Sequence, residues 1–339
     1  MSCLDLQVLQ AIGKWVDANH GFALVTLART WGSAPRQPGA WLALRGDGVV
    51  QGSVSGGCVE QDLIDRMQAG QINGVRPFAL TYGATRQEAE RFRLPCGGTL
   101  ELVVEPAPDR AQLREMAARI ARRQRVRRVI NLETAESSIH DGRPADELLW
   151  DGTRLVTRHG PGRRLLIIGA GQTSHCLASM AALLDFEITV CDPREEYAMQ
   201  WSVPGCTLRS DMPDDVVAAM ALDAHSAVIA LTHDPKLDDM ALIEALKSPA
   251  FYVGALGSRT NNARRRERLA QGFGLSAEQI ARMHGPVGLP IGSRTPAEIA
   301  VAILAEITAV IHGVRLVRVG GDGVGATRLV QLPAMVPIT

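Results

Sequence analysis

The chain has 339 residues, 46% of them hydrophobic, and its 36 Lys plus Arg balance 36 Asp plus Glu. That length and apolar fraction predict two globular domains with sizeable cores. Zero net charge excludes a bulk electrostatic attraction to nucleic acid or an anionic membrane, and no apolar run reaches the roughly 18 residues of a membrane span.

Leu6, Leu9, Ile12 and Val16 recur at helical spacing, so the first predicted element is an amphipathic helix. Asp5, in place of a basic and then apolar leader, points to a cytoplasmic protein. FALVTLART, AWLALRGDGVV and TLELVVEP read as strands separated by turn-rich segments. Among them lies GSVSGGCVEQD, Gly52 to Asp62, in which Gly56 and Gly57 precede Cys58 and a helical periodicity (Val59, Leu63, Ile64, Met67) follows. Cys58 is thereby placed at a helix amino terminus, where the dipole and free N–H groups stabilise a thiolate fit to act as nucleophile or soft ligand. The alternative is a small buried hydrophobe beside a tight turn. Cys96, followed by Gly97 and Gly98 in LPCGGT, has a similar setting and the same alternative. The six cysteines include no CxxC pair, which predicts free thiols rather than a disulfide scaffold or structural zinc. Cys3, Cys176, Cys191 and Cys206 read as structural. Eight arginines between Arg110 and Arg128 fall on a predicted arginine-rich helix. Leu113, Met116, Ala117 and Ile120 give that helix an apolar face, so the charges read as a solvated face rather than a phosphate patch. The polar stretch from Asn131 to Arg154 closes the first domain, an α+β unit over residues 1–150.

From Arg163 the texture changes. LLIIGAGQTSHCLASMAALLDFEITVCDP reads as strand, glycine turn, helix and a second strand ending at Asp192. Gly169, Gly171 and Ser174 hold the three glycine positions of GxGxxG, a turn that brings phosphate to a helix amino terminus. The third position, a serine, loosens helix–sheet packing. Asp192, about 20 residues on, stands where a ribose-binding acid belongs. SAVIALTHD, a helix over Leu237–Leu246 and FYVGALGS continue the alternation. They set His233 and Asp234 at one strand end and Gly257, Ser258 and Arg259 at the next, facing one crevice. His233 reads equally as a strand-end cap, whereas the Arg259 guanidinium suits a phosphate. TPAEIAVAILAEITAVI is a helix with Pro296 in its first turn and a Thr295/Glu298 capping box. The fold class is α/β: an N-terminal α+β domain, then a C-terminal Rossmann-like, doubly wound parallel sheet over residues 163–313. For the tail, 314–339, a hairpin and loose chain remain open. The absence of HExxH, GxSxG and P-loop motifs leaves the glycine turn as a phosphate signal rather than a hydride-transfer signal.

GSVSGGCVE, TYG, LPCGGTLELVVEP, LLIIGAGQTS with ITVCDPR, ALTHDPKLD, FYVGALGSR and GPVGLPIGSRTPAEIAVAILAEI together resemble the XdhC/CoxI family of accessory proteins for molybdenum hydroxylases. The resemblance runs from about Arg29 to about Ile311, and the tail beyond Gly313 departs from the pattern. It implies binding of molybdenum cofactor, as molybdopterin or its nucleotide form. It also implies help in sulfuration with a cysteine desulfurase, and insertion into an apo molybdenum hydroxylase such as xanthine or aldehyde dehydrogenase. Cys58 matches the family's cysteine position and Cys96 its CGG motif. On this reading the protein is a chaperone rather than a turnover enzyme, Cys58 is a transient molybdenum ligand, and the Rossmann turn holds the cofactor's phosphate. A homodimer is the expected assembly. The rival expectation, an NAD(P)-dependent oxidoreductase, rests on GAGQTS and Asp192 alone.

Overall fold

Strands that bury both faces need apolar residues at consecutive positions, whereas strands with one wet face alternate; both patterns occur in this chain. The computed structural model describes residues 3–31, 36–57, 59–83, 98–143, 147–314, 316–320 and 327–331. By internal contacts the chain divides into two units, 1–161 and 162–339.

The first unit is built on a five-stranded antiparallel sheet. Its strands are β1 (Phe22–Trp31), β2 (Trp41–Arg45), β3 (Val50–Gly52), β4 (Phe78–Tyr82) and β5 (Thr99–Glu105), in the order β3-β2-β1-β5-β4. The two-residue period sorts β1 onto two cores. Ala23, Val25 and Leu27 pack with Val59 and with Leu63 of helix α2 (Glu60–Gln68). Phe22 and Leu24 pack against helix α1 (Cys3–Asp17) through Val8, Leu9 and Ile12, and against helix α3 (Arg110–Ala121) through Leu113 and Met116.

The predicted arginine-rich helix is shorter than its charge run. It ends at Ala121, Arg123 turns the chain at φ +62, and the last two arginines of the run lie on a strand, β6 (Val126–Asn131). There Arg128 is fully buried and forms a bidentate pair with Glu105, at 2.7 and 2.6 Å. The solvated-face reading therefore fails for Arg128, because Val126, Arg128 and Ile130 share the inward face of a strand rather than a helical stripe. The polar stretch that follows is also sheet. β7 (Ser137–Asp141), β8 (Leu149–Trp150) and β9 (Arg154–His159) join β6 in the antiparallel order β7-β6-β9-β8.

The second unit carries a six-stranded, wholly parallel sheet in the order β12-β11-β10-β13-β14-β15. Its strands are β10 (Arg163–Ile168), β11 (Phe186–Cys191), β12 (Cys206–Arg209), β13 (Ser226–Ala230), β14 (Tyr252–Ala255) and β15 (Met283–His284). The helices are α4 (Gln172–Leu183), α5 (Glu195–Ala198), α6 (Pro213–Ala219), α7 (Pro235–Lys247), α8 (Arg259–Phe273), α9 (Ala277–Ala281) and α10 (Pro296–Ile311). Leu165 and Ile167 face α4 and α10 through Leu177, Ala181, Ile303 and Ile307. Leu166 and Ile168 face α6, α7 and α8 through Val216, Leu242 and Leu269. Helices thus cover both faces, as a doubly wound sheet requires. The Thr295/Glu298 capping box is formed. In the tail the backbone makes an antiparallel ribbon of β16 (Leu316–Gly320) and β17 (Thr327–Gln331). Among the described residues no helix is long and apolar enough to cross a membrane.

Candidate functional site

In an open parallel sheet, ligands collect at the carboxyl ends of the strands where the strand order reverses. Here that point lies between β10 and β13. Gly169 leaves β10 at φ +104, and a Cβ there would stand 3.0 Å from the Thr232 backbone nitrogen, so glycine is required for backbone and neighbour alike. Gly171 differs. It is the N-cap of α4 at φ −81, ψ −176, a conformation open to any residue, and an added Cβ would meet nothing within 4 Å. No side chain among the described residues caps α4, so its first-turn N–H groups are left without an intrahelical acceptor beside this open space. Ser174, at the motif's third position, is fully buried, and its Oγ has no hydrogen-bond partner among the described residues. An open space in front of an uncapped helix terminus, with a buried hydroxyl in the first turn, suits an anion.

Asp192 is also fully buried, and its carboxylate is engaged from within. Oδ2 accepts from Ala170 N and Arg194 Nη2, both at 2.8 Å, and Oδ1 accepts from Arg194 N at 3.1 Å and Nε at 2.8 Å. Burial alone would raise its pKa; hydrogen bonds from Arg194 and Ala170 outweigh it and hold the carboxyl below its usual value. Arg194 in turn stacks on Tyr197, 4.0 Å from the ring centroid.

The next two strand ends are fixed by a buried ion network that the sequence pattern did not predict. Asp238 Oδ1 accepts from Thr232 N at 3.1 Å and Thr232 Oγ1 at 2.7 Å, while its Oδ2 accepts from Arg265 Nη2 at 2.9 Å. Arg265 also donates to Asp239 and to the Leu256 carbonyl. The only sequence signal was two adjacent acids, Asp238 and Asp239, inside a helix that otherwise packs apolar residues. His233 is exposed at φ +62. Asp234 caps α7 by accepting from Lys236 N, and Ser258 caps α8 by accepting from Asn261 N. Gly257 turns at φ +134. Arg259, the first residue of α8, is exposed and has no ion-pair partner among the described residues.

In the first unit, Cys58, Cys96 and Gly97 lie outside the described residues. Gly56 and Gly57, at φ +85 and +111, belong to a loop wrapped around Glu60. Glu60 Oε1 accepts from Ser53 Oγ at 2.7 Å, Val54 N at 3.0 Å and Ser55 N at 2.9 Å; Oε2 accepts from Gly57 N at 2.9 Å and from Ser55 Oγ. Gly56 N donates to Ser53 Oγ, and Val59 N to Ser55 Oγ. These hydrogen bonds overcome the upward push of burial and bring the Glu60 carboxyl down to about 2. The loop N–H groups expected to serve a thiolate therefore already serve a carboxylate. An acid placed directly after a Ser/Gly run was the available signal for Glu60.

Cys176, Cys191 and Cys206 are free thiols, and burial pushes Cys191 up to about 12. Among the described residues no three His, Cys, Asp or Glu side chains converge as a metal site.

Residues 15–83 match the family described as XdhC and CoxI, and residues 165–307 match the XdhC Rossmann domain. The Escherichia coli protein YqeB is 28% identical over 304 residues, which cover 89% of this chain but 46% of YqeB, so the chain spans about half the length of that relative. A Bacillus subtilis protein named as a probable xanthine dehydrogenase subunit is 27% identical over 310 residues, covering 84% of this chain and 91% of that protein. The molybdenum cofactor insertion chaperone PaoD of Escherichia coli is 27% identical over 297 residues, covering 86% and 84%. A crystal structure of a xanthine dehydrogenase from Bacillus halodurans shares the fold, with a TM-score of 0.71 at 24% identity, over 92% of this chain and 96% of that one.

Proposed function

This chain belongs to the XdhC and CoxI family, and from that premise we propose that it is a molybdenum cofactor-binding chaperone. It holds the cofactor, assists its sulfuration with a cysteine desulfurase and delivers it to an apo molybdenum hydroxylase such as xanthine or aldehyde dehydrogenase. The relative named as a cofactor insertion chaperone supports the class. The observation that carries the binding role is the open space in front of Gly171 at the uncapped amino terminus of α4.

The first-turn N–H groups of α4 take the cofactor's phosphate, and Arg259, two strands away at the same carboxyl end of the sheet, offers positive charge to another part of the cofactor. Asp192 acts indirectly, fastening the glycine turn through Ala170 N. Glu60 fixes the loop from which Cys58 is offered as a soft donor, with Gly56 and Gly57 allowing its sharp course. Cys96 and Gly97 form the second cysteine motif. The cofactor brings molybdenum with dithiolene, oxo and sulfido ligands, for which a thiolate is a matched partner. The acid that a dinucleotide ribose would need is buried and engaged by Arg194, which disfavours the NAD(P)-dependent oxidoreductase reading.

The test is the full chain purified from a host with an intact cofactor pathway, assayed for molybdenum and pterin fluorescence. Cys58→Ser should melt like the wild type while cofactor content and client activation fall together, with a milder loss for Cys96→Ser. Normal delivery by a normally folded Cys58→Ser variant removes that thiol from the mechanism. Cofactor-free protein that bleaches nicotinamide absorbance with a substrate returns the oxidoreductase reading. Light scattering of the same preparation tests the homodimer.

A further inference from the structure

A cavity of about 430 Å³ opens where the chain leaves β14 and β15. It is lined by Leu256 and Arg259, by Pro286, Leu289 and Pro290 of the following loop, and by Ile299 of α10. Arg259 is the one charged side chain among the described residues that line it. The other polar lining side chain, Ser293, donates its hydroxyl to the Glu298 carbonyl. The walls are preformed. Val287 N donates to Ala255 O at 3.0 Å and Leu289 N to Ala302 O at 3.1 Å, which ties the loop to strand and helix. Gly288 N donates to Glu306 Oε2 at 2.7 Å, and Glu306 is itself held by Tyr252 OH at 2.5 Å and by His284 Nδ1 at 3.2 Å. Gly288, at φ +93, lets the loop lie against α10, since a Cβ there would come within 3.1 Å of the Ala302 carbonyl carbon.

A cavity of this size is in the range that small organic ligands occupy. Aliphatic walls favour an apolar body, and a guanidinium without a carboxylate partner favours an anionic substituent. Proline rings and the flat guanidinium face also pack well against a planar ring. β14 lies two strand spacings from β10, about 10 Å. The α4 amino terminus and this cavity therefore lie at the same end of one sheet, two strands apart.

We propose that the cavity is the compartment for the ring end of a heteroaromatic anion, with Arg259 binding its anionic group. The choice of a pterin as that ring rests on the chaperone reading; the compartment itself does not.

The probe is a carboxypterin, titrated into the full chain and followed by its fluorescence anisotropy, with neutral pterin as the comparison. Saturable binding of the carboxypterin, tighter than neutral pterin, is expected. Arg259→Met should weaken it about ten-fold or more, as removal of a charge-assisted hydrogen bond does. Ile299→Trp should weaken it with the charge intact, because the larger indole intrudes into the cavity. Both positions are at least partly exposed, and the melting temperature of each variant establishes that it folds. The proposal is overturned by an absence of saturable binding, by equal affinity for neutral pterin, or by wild-type affinity in either folded variant. Failed probe binding by a chain that still retains molybdenum cofactor removes this compartment and leaves the chaperone reading. Probe binding by a chain that retains no cofactor does the reverse.

Discussion

Gly57 donates its backbone N–H to the Glu60 carboxylate at 2.9 Å, three residues further along the chain. With Val54 N and Ser55 N on the same side chain, this closes the glycine-rich loop on an anion of its own sequence. The loop is thus held by a charge as well as by the packing of Val54 and Val59 in the core.

Replacing that charge should loosen the loop. Glu60→Gln keeps the volume but sets an amide NH2 against several donors, a loss of about 1–3 kcal/mol for leaving buried donors unsatisfied, read as a lower urea midpoint. The folded carboxyl titrates at about 2, below the ordinary glutamate value of about 4.3. Its contribution is therefore present above that ordinary value and lost as pH falls toward 2. The gap between wild type and Glu60→Gln should shrink below about pH 4; a gap that stays constant to pH 2 contradicts the assignment.

The two glycines of the Rossmann turn should separate stability from binding. Gly169→Ala forces a Cβ onto φ +104 and to 3.0 Å from Thr232 N, and should destabilise the second unit by about 1–3 kcal/mol. At Gly171 an added Cβ meets nothing within 4 Å and no strained φ, so Gly171→Val should cost only the N-cap preference of glycine over valine, about 0.5–1 kcal/mol. Cofactor retention by that variant should fall, since the valine occupies the space before α4. Full retention in a stable Gly171→Val protein would make this turn structural only.

The buried Glu105–Arg128 pair makes an uncompensated charge expensive. Glu105→Gln leaves the Arg128 guanidinium without its counter-charge in the interior, and a loss of about 3–5 kcal/mol in denaturant unfolding is expected. Glu105→Leu combined with Arg128→Met should cost less than Glu105→Gln alone, because no charge remains buried.

His159 predicts acid sensitivity of the first unit. It packs on Trp41, with ring centroids 4.5 Å apart, and bonds to Thr157 Oγ1 at 2.8 Å. Burial, reinforced by the charge of Arg128, brings it down to about 3. The unfolded chain binds this proton near pH 6.5 and the folded chain does not, so stability falls as pH drops from about 6.5 toward 3, by up to about 1.4 kcal/mol per pH unit. His159→Phe should flatten that slope in pH-dependent melting, and an unchanged slope would place the sensitivity elsewhere.

Periodicity and turn chemistry were sufficient for the elements that depend on local sequence. The glycine turn between β10 and α4, the capped helix that starts after Thr295, and the parallel alternation from Arg163 were all legible, because each is encoded within a few residues. The amphipathic helix at Leu6 to Val16 was legible for the same reason. The partners of buried charges were not. Arg128 finds Glu105 across 23 residues and Arg265 finds Asp238 across 27, and a charge run in sequence carries no mark of which member will be desolvated. Nor could the motif tell which glycine the backbone demands. Gly169 is fixed by the approach of Thr232, just beyond the end of β13, whereas Gly171 is left facing open space, and only the packing of β10 beside β13 separates the two.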